Sequence, residues 1–149
     1  MKRWILDTDH VSLYQRQHPL VIQRVLATPP ELLAVTIVTL EEQFRGWFSV
    51  IQKAGRTEQL VFAYTQLRAT SEYFCTANVL DFDQNTYEQY LRLQRLQLRV
   101  GSQDLKIAAI VLTQDSILVT RNRRDFEKIP GLVLENWAIA SQPQNIGSE

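Results

Sequence analysis

The chain has 149 residues, with 16 Lys and Arg against 16 Asp and Glu, 45% hydrophobic residues and one cysteine, Cys75, which fits a single globular domain able to bury a core. That composition excludes fibrous, collagenous and wholly disordered chains, and a formal net charge of zero excludes a general polyanion coater, which gains affinity from many Lys and Arg contacts to phosphate. A lone thiol excludes an intrachain disulfide and a thiol-rich zinc site.

Trp4-Ile5-Leu6 is a short apolar run ended by Asp7-Thr8-Asp9-His10, the pattern of a buried strand opening into a loop. Asp7 stands where a signal peptide would continue its apolar region, so a cytoplasmic protein is expected. Asp9 is placed to cap a first helix, and a second, over Leu20 to Leu26, must stop before Pro29-Pro30. Leu32 to Val38 is rich in β-branched residues and reads as a second strand. It is also the longest apolar stretch, far short of the roughly 20 residues that cross a bilayer, so no membrane span is expected. Thr39-Leu40-Glu41-Glu42 resembles a capping signal for a helix through about Lys53, which Gly55 closes.

Leu60, Val61, Tyr64, Leu67 and Phe74 give the segment from Thr57 to Ala77 the spacing of a long amphipathic helix. Asn78 to Asp83 reads as a short third strand. Asn85 to Arg99 lacks Gly and Pro and is rich in Leu, Arg and Gln, hence a helix ended by Gly101. Ser102 can cap a deeply buried helix over Gln103 to Leu112 with Leu105, Ala108, Ala109 and Leu112 inward. Ser116 to Thr120 and Leu132 to Leu134 are two further strands. Strands alternating with helices predict an α/β domain, three-layered α/β/α with a mainly parallel sheet, over residues 1–139, followed by a polar, frayed tail over 140–149.

Ligands of open parallel sheets bind outside the carboxyl ends of the strands, and four segments place an acid there. Asp7 follows the first strand, Glu42 lies about one turn into the helix after the second, Asp104 lies in the first turn of the buried helix, and Asp125 follows the strand ending at Thr120. Gathered together, these carboxylates repel one another unless a cation neutralises them, and an all-oxygen set selects Mg²⁺ or Mn²⁺. Such an ion activates water and stabilises the attacking and leaving oxygens of a phosphodiester. The acids also have plain structural roles open to them: Asp104 as partner to a helix dipole, Glu41 or Glu42 as part of a capping box, Asp7 or Asp9 as a turn residue.

Four segments resemble the motifs of PIN-domain ribonucleases, specifically the VapC-like toxins of bacterial type II toxin–antitoxin pairs. They are Ile5-Leu6-Asp7-Thr8-Asp9; Val38-Thr39-Leu40-Glu41-Glu42-Gln43-Phe44-Arg45-Gly46; Gly101-Ser102-Gln103-Asp104-Leu105-Lys106-Ile107-Ala108-Ala109; and Leu118-Val119-Thr120-Arg121-Asn122-Arg123-Arg124-Asp125-Phe126 with Ile129-Pro130-Gly131-Leu132 and Glu135-Asn136-Trp137. The resemblance runs in order along nearly the whole chain to Trp137. It implies that Asp7, Glu42, Asp104 and Asp125 bind Mg²⁺ or Mn²⁺ and activate water for RNA cleavage. It further implies a sheet of about five parallel strands, a homodimer, and inhibition by a small antitoxin protein. The chain departs from the family at Asp9, where Asn is frequent, and in the fourth motif, where some members place their acid at the position of Asn122. Asp9, Thr120 and Asn122 are accordingly expected around the acids or at the substrate.

Eight basic residues lie between Arg92 and Lys128 against four acids. They form either a solvated helix face or a rim for an RNA backbone, with Arg121, Arg123 and Arg124 the best phosphate contacts. His10 and His18 have no partner at metal-ligand spacing, and the glycines form no phosphate loop. Phe44, Trp47, Phe48, Phe62 and Tyr64 are expected in the core rather than in a groove for a partner helix. Two other functions compete. Leu6-Asp7-Thr8-Asp9-His10-Val11 also resembles the opening of haloacid-dehalogenase-like phosphatases, with Asp7 as nucleophile and Asp9 as general acid. The third is a PIN-like module that binds RNA or protein without cleaving.

Overall fold

The computed structural model describes residues 2–140, so the tail reading of 140–149 lies, apart from Ala140, outside the described residues. β1 (Trp4–Leu6), β2 (Leu33–Thr36), β3 (Val79–Leu80), β4 (Ile117–Val119) and β5 (Val133–Glu135) form a parallel sheet in the order β3-β2-β1-β4-β5. Ile5 stands opposite Ala34 on one side and Leu118 on the other. Chain order reverses between β1 and β4, which puts the ligand-binding crevice of such sheets at the carboxyl ends of these two strands.

The connections are α1 (Thr8–Gln15), α2 (Pro19–Ala27), α3 (Ile37–Lys53), α4 (Thr57–Thr76), α5 (Gln84–Arg95), α6 (Ser102–Thr113) and the short α7 (Arg123–Phe126), with a 3-10 turn at Pro30–Leu32. Alternation along the strands divides the core into two layers. Ile5, Ala34 and Leu118 pack with Leu93 of α5, Ile107, Ala108 and Val111 of α6, and Phe126 of α7. Leu6, Val35 and Val119 point the other way, onto Val11 of α1, Val21 of α2, Phe74 of α4, and Trp137 beyond β5. This is the expected α/β/α architecture.

Several boundaries differ from the sequence reading. α1 is capped by Asp7, whose carboxylate accepts the His10 backbone N–H at 2.7 Å, so Asp9 falls inside the first turn. α3 begins at Ile37 because the hydroxyl of Thr36, still extended at the end of β2, accepts the Thr39 N–H at 3.1 Å. α5 stops at Arg95 rather than Arg99, since Gln97 and Arg99 turn into the left-handed region with φ of 52° and 58°. The apolar cluster on α3 and α4 is the larger correction. Phe48, Phe62 and Tyr64 are each more than half exposed and Val61 is 60% exposed, because α4 packs mainly against α3 and buries only Ala63, Thr70 and Phe74 along its length. Among the described residues, no helix is long and apolar enough to cross a membrane.

Candidate metal centre

A cavity of about 350 Å³ opens at the crevice between β1 and β4, with Asp7, Asp9, Glu42, Asp104 and Asn122 among the residues that line it. Asp7 leaves β1 with its N–H bonded to the Val119 carbonyl at 3.0 Å, which fixes it at the β1–β4 junction. Glu42 reaches in from α3 and is held by the Thr8 hydroxyl, which donates to Oε1 at 2.7 Å and contacts the Thr39 hydroxyl at 3.0 Å. Asp104 comes from the first turn of α6. Burial first, then the charges of Glu42, Asp7 and Asp125, push its carboxyl up to about 6. Carboxylates from three separate helices and strand ends thus share one space, and their mutual repulsion is the electrostatic mark of that convergence.

Asn122 rather than Asp125 lies on the cavity wall. Asn122 caps α7 by accepting the Asp125 N–H, and its amide donates to Asp125 Oδ2 at 3.1 Å. The other oxygen, Oδ1, is 3.6 Å from Lys128 Nζ. The Asn122 amide and then Lys128 hold the Asp125 carboxyl below its ordinary range, while its charge still acts on Asp104. Thr120 is buried beneath them, its hydroxyl accepting the Asn122 N–H at 2.9 Å. Asp9 is held in a two-point pair with Arg121 at 2.6 and 2.8 Å, and that guanidinium keeps its carboxyl low. Arg123 is paired with Glu127 at 3.2 Å, and Arg124 is exposed beside it.

The donor set fits a hard divalent cation: Asp7, Glu42 and Asp104 offer only carboxylate oxygen, in a cleft lined by further oxygen and amide groups. Asp7, Asp9 and His10 also lie close enough, within 4.8 Å, to be weighed as a group. His10, however, is fully buried with both ring nitrogens engaged, Nδ1 against Asp7 Oδ1 at 3.3 Å and Nε2 accepting the Trp137 N–H at 3.2 Å. Two residues serve the acids in ways the sequence did not assign: Thr8 stands in the first motif without a role of its own, and His10 has no partner at metal-ligand spacing. Their signal is local: one adjoins Asp7 and the other stands one helical turn beyond it.

No protein-family model matches the chain. It is 25% identical over 141 residues to the tRNA(fMet)-specific endonuclease VapC of Salmonella typhimurium, covering 92% of this chain and 99% of that protein. A shorter match, 42% over 45 residues, covers 30% of this chain and only 34% of Ribonuclease VapC2 of Rickettsia felis. Among solved structures, the DNA-bound VapBC of Salmonella typhimurium superposes with a TM-score of 0.72 at 26% identity, covering 92% of this chain and 99% of that one.

Proposed function

We propose, for a chain with the PIN-domain fold of VapC toxins and similarity to VapC ribonucleases along 92% of its length, that it is a divalent-metal-dependent endoribonuclease and the toxin of a type II toxin–antitoxin pair. The observation that carries this is the convergence of Asp7, Glu42 and Asp104 in one cleft at the β1–β4 crevice. These three carboxylates hold Mg²⁺ or Mn²⁺, and Asp125 adds negative charge from the rim. When bound, the ion activates water and neutralises charge building on the phosphodiester oxygens. Thr8 keeps Glu42 aimed into the cleft, and a bound ion would offset the repulsion that Glu42, Asp7 and Asp125 exert on the Asp104 carboxylate. Asn122, steadied by the Thr120 hydroxyl, lines the cleft, while Arg121, Arg123 and Arg124 are the contacts for the RNA backbone.

A groove of about 670 Å³ bounded by α1, α3 and α4 supports the partner half of the proposal. Trp47, Val50 and Phe62 give it an apolar wall, and it shares Thr8, Ser12 and Glu42 with the acidic cleft. A segment of a small antitoxin laid there covers both the apolar face and the mouth of the site. Homodimerisation belongs to the same proposal and is read by light scattering of the purified chain.

Purified protein incubated with total RNA in Mg²⁺, Mn²⁺ or EDTA tests the nuclease. Fragments should form only with metal and should be lost with folded Asp7→Asn or Asp104→Asn. Wild-type cleavage by either variant sinks the assignment, and no cleavage from folded, partner-free protein leaves a binding module. The phosphatase reading loses support at Asp9, because a general acid needs to keep its proton and Arg121 drives this carboxyl the other way. Trapped phosphoryl-aspartate on Asp7 would restore it.

A further inference from the structure

We infer that His10 is a positioning residue that fixes the Asp7 carboxylate for the ion, with the carboxy-terminal segment setting its tautomer. The inference rests on the reading of Asp7 as a metal-holding acid. His10 is fully buried, where a polar ring is costly unless its nitrogens find hydrogen-bond partners. Its Nε2 faces the backbone N–H of Trp137 at 3.2 Å, so that nitrogen accepts and carries no proton. The ring proton therefore sits on Nδ1, which points at Asp7 Oδ1 at 3.3 Å and donates to it.

Oδ1 thus takes two donors from one residue, the His10 backbone N–H at 2.7 Å and the ring Nδ1–H. Among the described residues, Oδ2 accepts no hydrogen bond, and it is not sealed from solvent. Two donors on one oxygen fix the plane of the carboxylate and leave the other oxygen for the cleft. Trp137 itself is clamped: its indole N–H donates to Glu135 at 3.1 Å, and Arg24, which binds the same carboxylate at 3.0 Å, lies over its ring at 5.1 Å. The segment after β5, far from the cleft in sequence, in this way reaches Asp7 through one imidazole. His10 acts on the ion through Asp7 and is not a ligand, since ligation requires breaking one of its two bonds.

The two bonds separate by substitution. The amide nitrogen of His10→Asn occupies the position of Nδ1 and keeps the donor to Asp7; the amide oxygen of His10→Gln occupies the position of Nε2 and keeps the acceptor for Trp137. Mn²⁺ binding is measured by electron paramagnetic resonance on the full chain, with folding followed by circular dichroism and Asp7→Asn as control. His10→Gln should bind Mn²⁺ about 10- to 100-fold more weakly, the usual cost of losing a ligand's orienting partner, while His10→Asn should stay within about threefold of wild type even if it melts earlier. Equal binding by folded His10→Gln and wild type overturns the inference, as does equal weakening in both variants, which marks His10 as merely structural. If Asp7→Asn binds as well as wild type, the metal reading itself fails and the two failures are told apart. Should neither His10 variant fold, nitrogen-15 NMR of the wild-type imidazole decides: a proton on Nδ1 alone supports the inference, and one on Nε2 overturns it.

Discussion

Asp104 and Asp9 show how two carboxylates on one cleft respond to opposite surroundings. Asp104 is half-buried among like charges and sits at about 6, above the ordinary 3.8 of an unfolded aspartate. Between those two values the folded protein holds a proton that the unfolded chain has released, so metal-free stability should fall as pH rises from about 4 to about 6. Asp9, held low by Arg121, contributes in the other direction, with stability present above 3.8 and lost as pH falls below it. Thermal unfolding in EDTA across this range should show the decline, and saturating Mg²⁺ should remove it by replacing the proton as counter-charge. Asp104→Asn should then raise metal-free stability by about 1 kcal/mol, a figure reduced for the carboxyl's partial exposure, while cleavage is lost. A metal-free protein that gains stability from pH 4 to 6 would contradict the repulsion seen at this residue.

At the level of elements, the site depends on how α3 starts. The buried hydroxyls of Thr36 and Thr39 lie 3.3 Å apart, Thr39 contacts Thr8 at 3.0 Å, and Thr8 donates to Glu42, so a line of hydroxyls runs from the end of β2 to a candidate ligand. Thr36→Ala removes the cap of α3 and should cost about 1–2 kcal/mol in urea unfolding, with the slope unchanged. A loss below a few tenths of a kcal/mol would mean that the cap is replaced by water or by Thr39. This start of α3 was only partly legible in the sequence. Strand cores such as Ile5-Leu6 and Leu118-Val119 announce themselves because both faces are buried and the run is apolar. Caps do not, because several Thr and Asp residues compete for the role and the strand's own end, at Thr36 and Asp7, decides it. The exposed Phe48, Phe62 and Tyr64 misled for a related reason: helical spacing identifies an apolar stripe, but not whether another element covers it. The acids of the cleft were legible as positions after strands, whereas the turn that puts Asn122 on the wall and ties Asp125 to Lys128 depends on side-chain geometry that spacing does not encode.

Over the whole molecule, equal numbers of cations and anions leave no overall field to draw in RNA, so attraction must be local. Much of the basic rim is already engaged: Arg121 with Asp9 and Arg123 with Glu127, while Lys128 lies 3.6 Å from Asp125. Exposed pairs of this kind are worth at most about 1 kcal/mol, so a phosphate can displace a carboxylate from Arg123 at little cost, and Arg124 beside it is already exposed. If the RNA backbone runs over α7, replacing Arg123 and Arg124 by Ala should raise KM severalfold and leave kcat close to wild type, since neither side chain lines the cleft that holds Asp7, Glu42 and Asp104. The dependence of kcat/KM on salt should flatten as well, by about 0.7 in logarithmic slope for each single-strand phosphate contact removed. An unchanged slope would place the RNA on another face. A fall in kcat at constant KM would instead assign these arginines to charge stabilisation during cleavage, which their pairing and exposure in the structure do not favour.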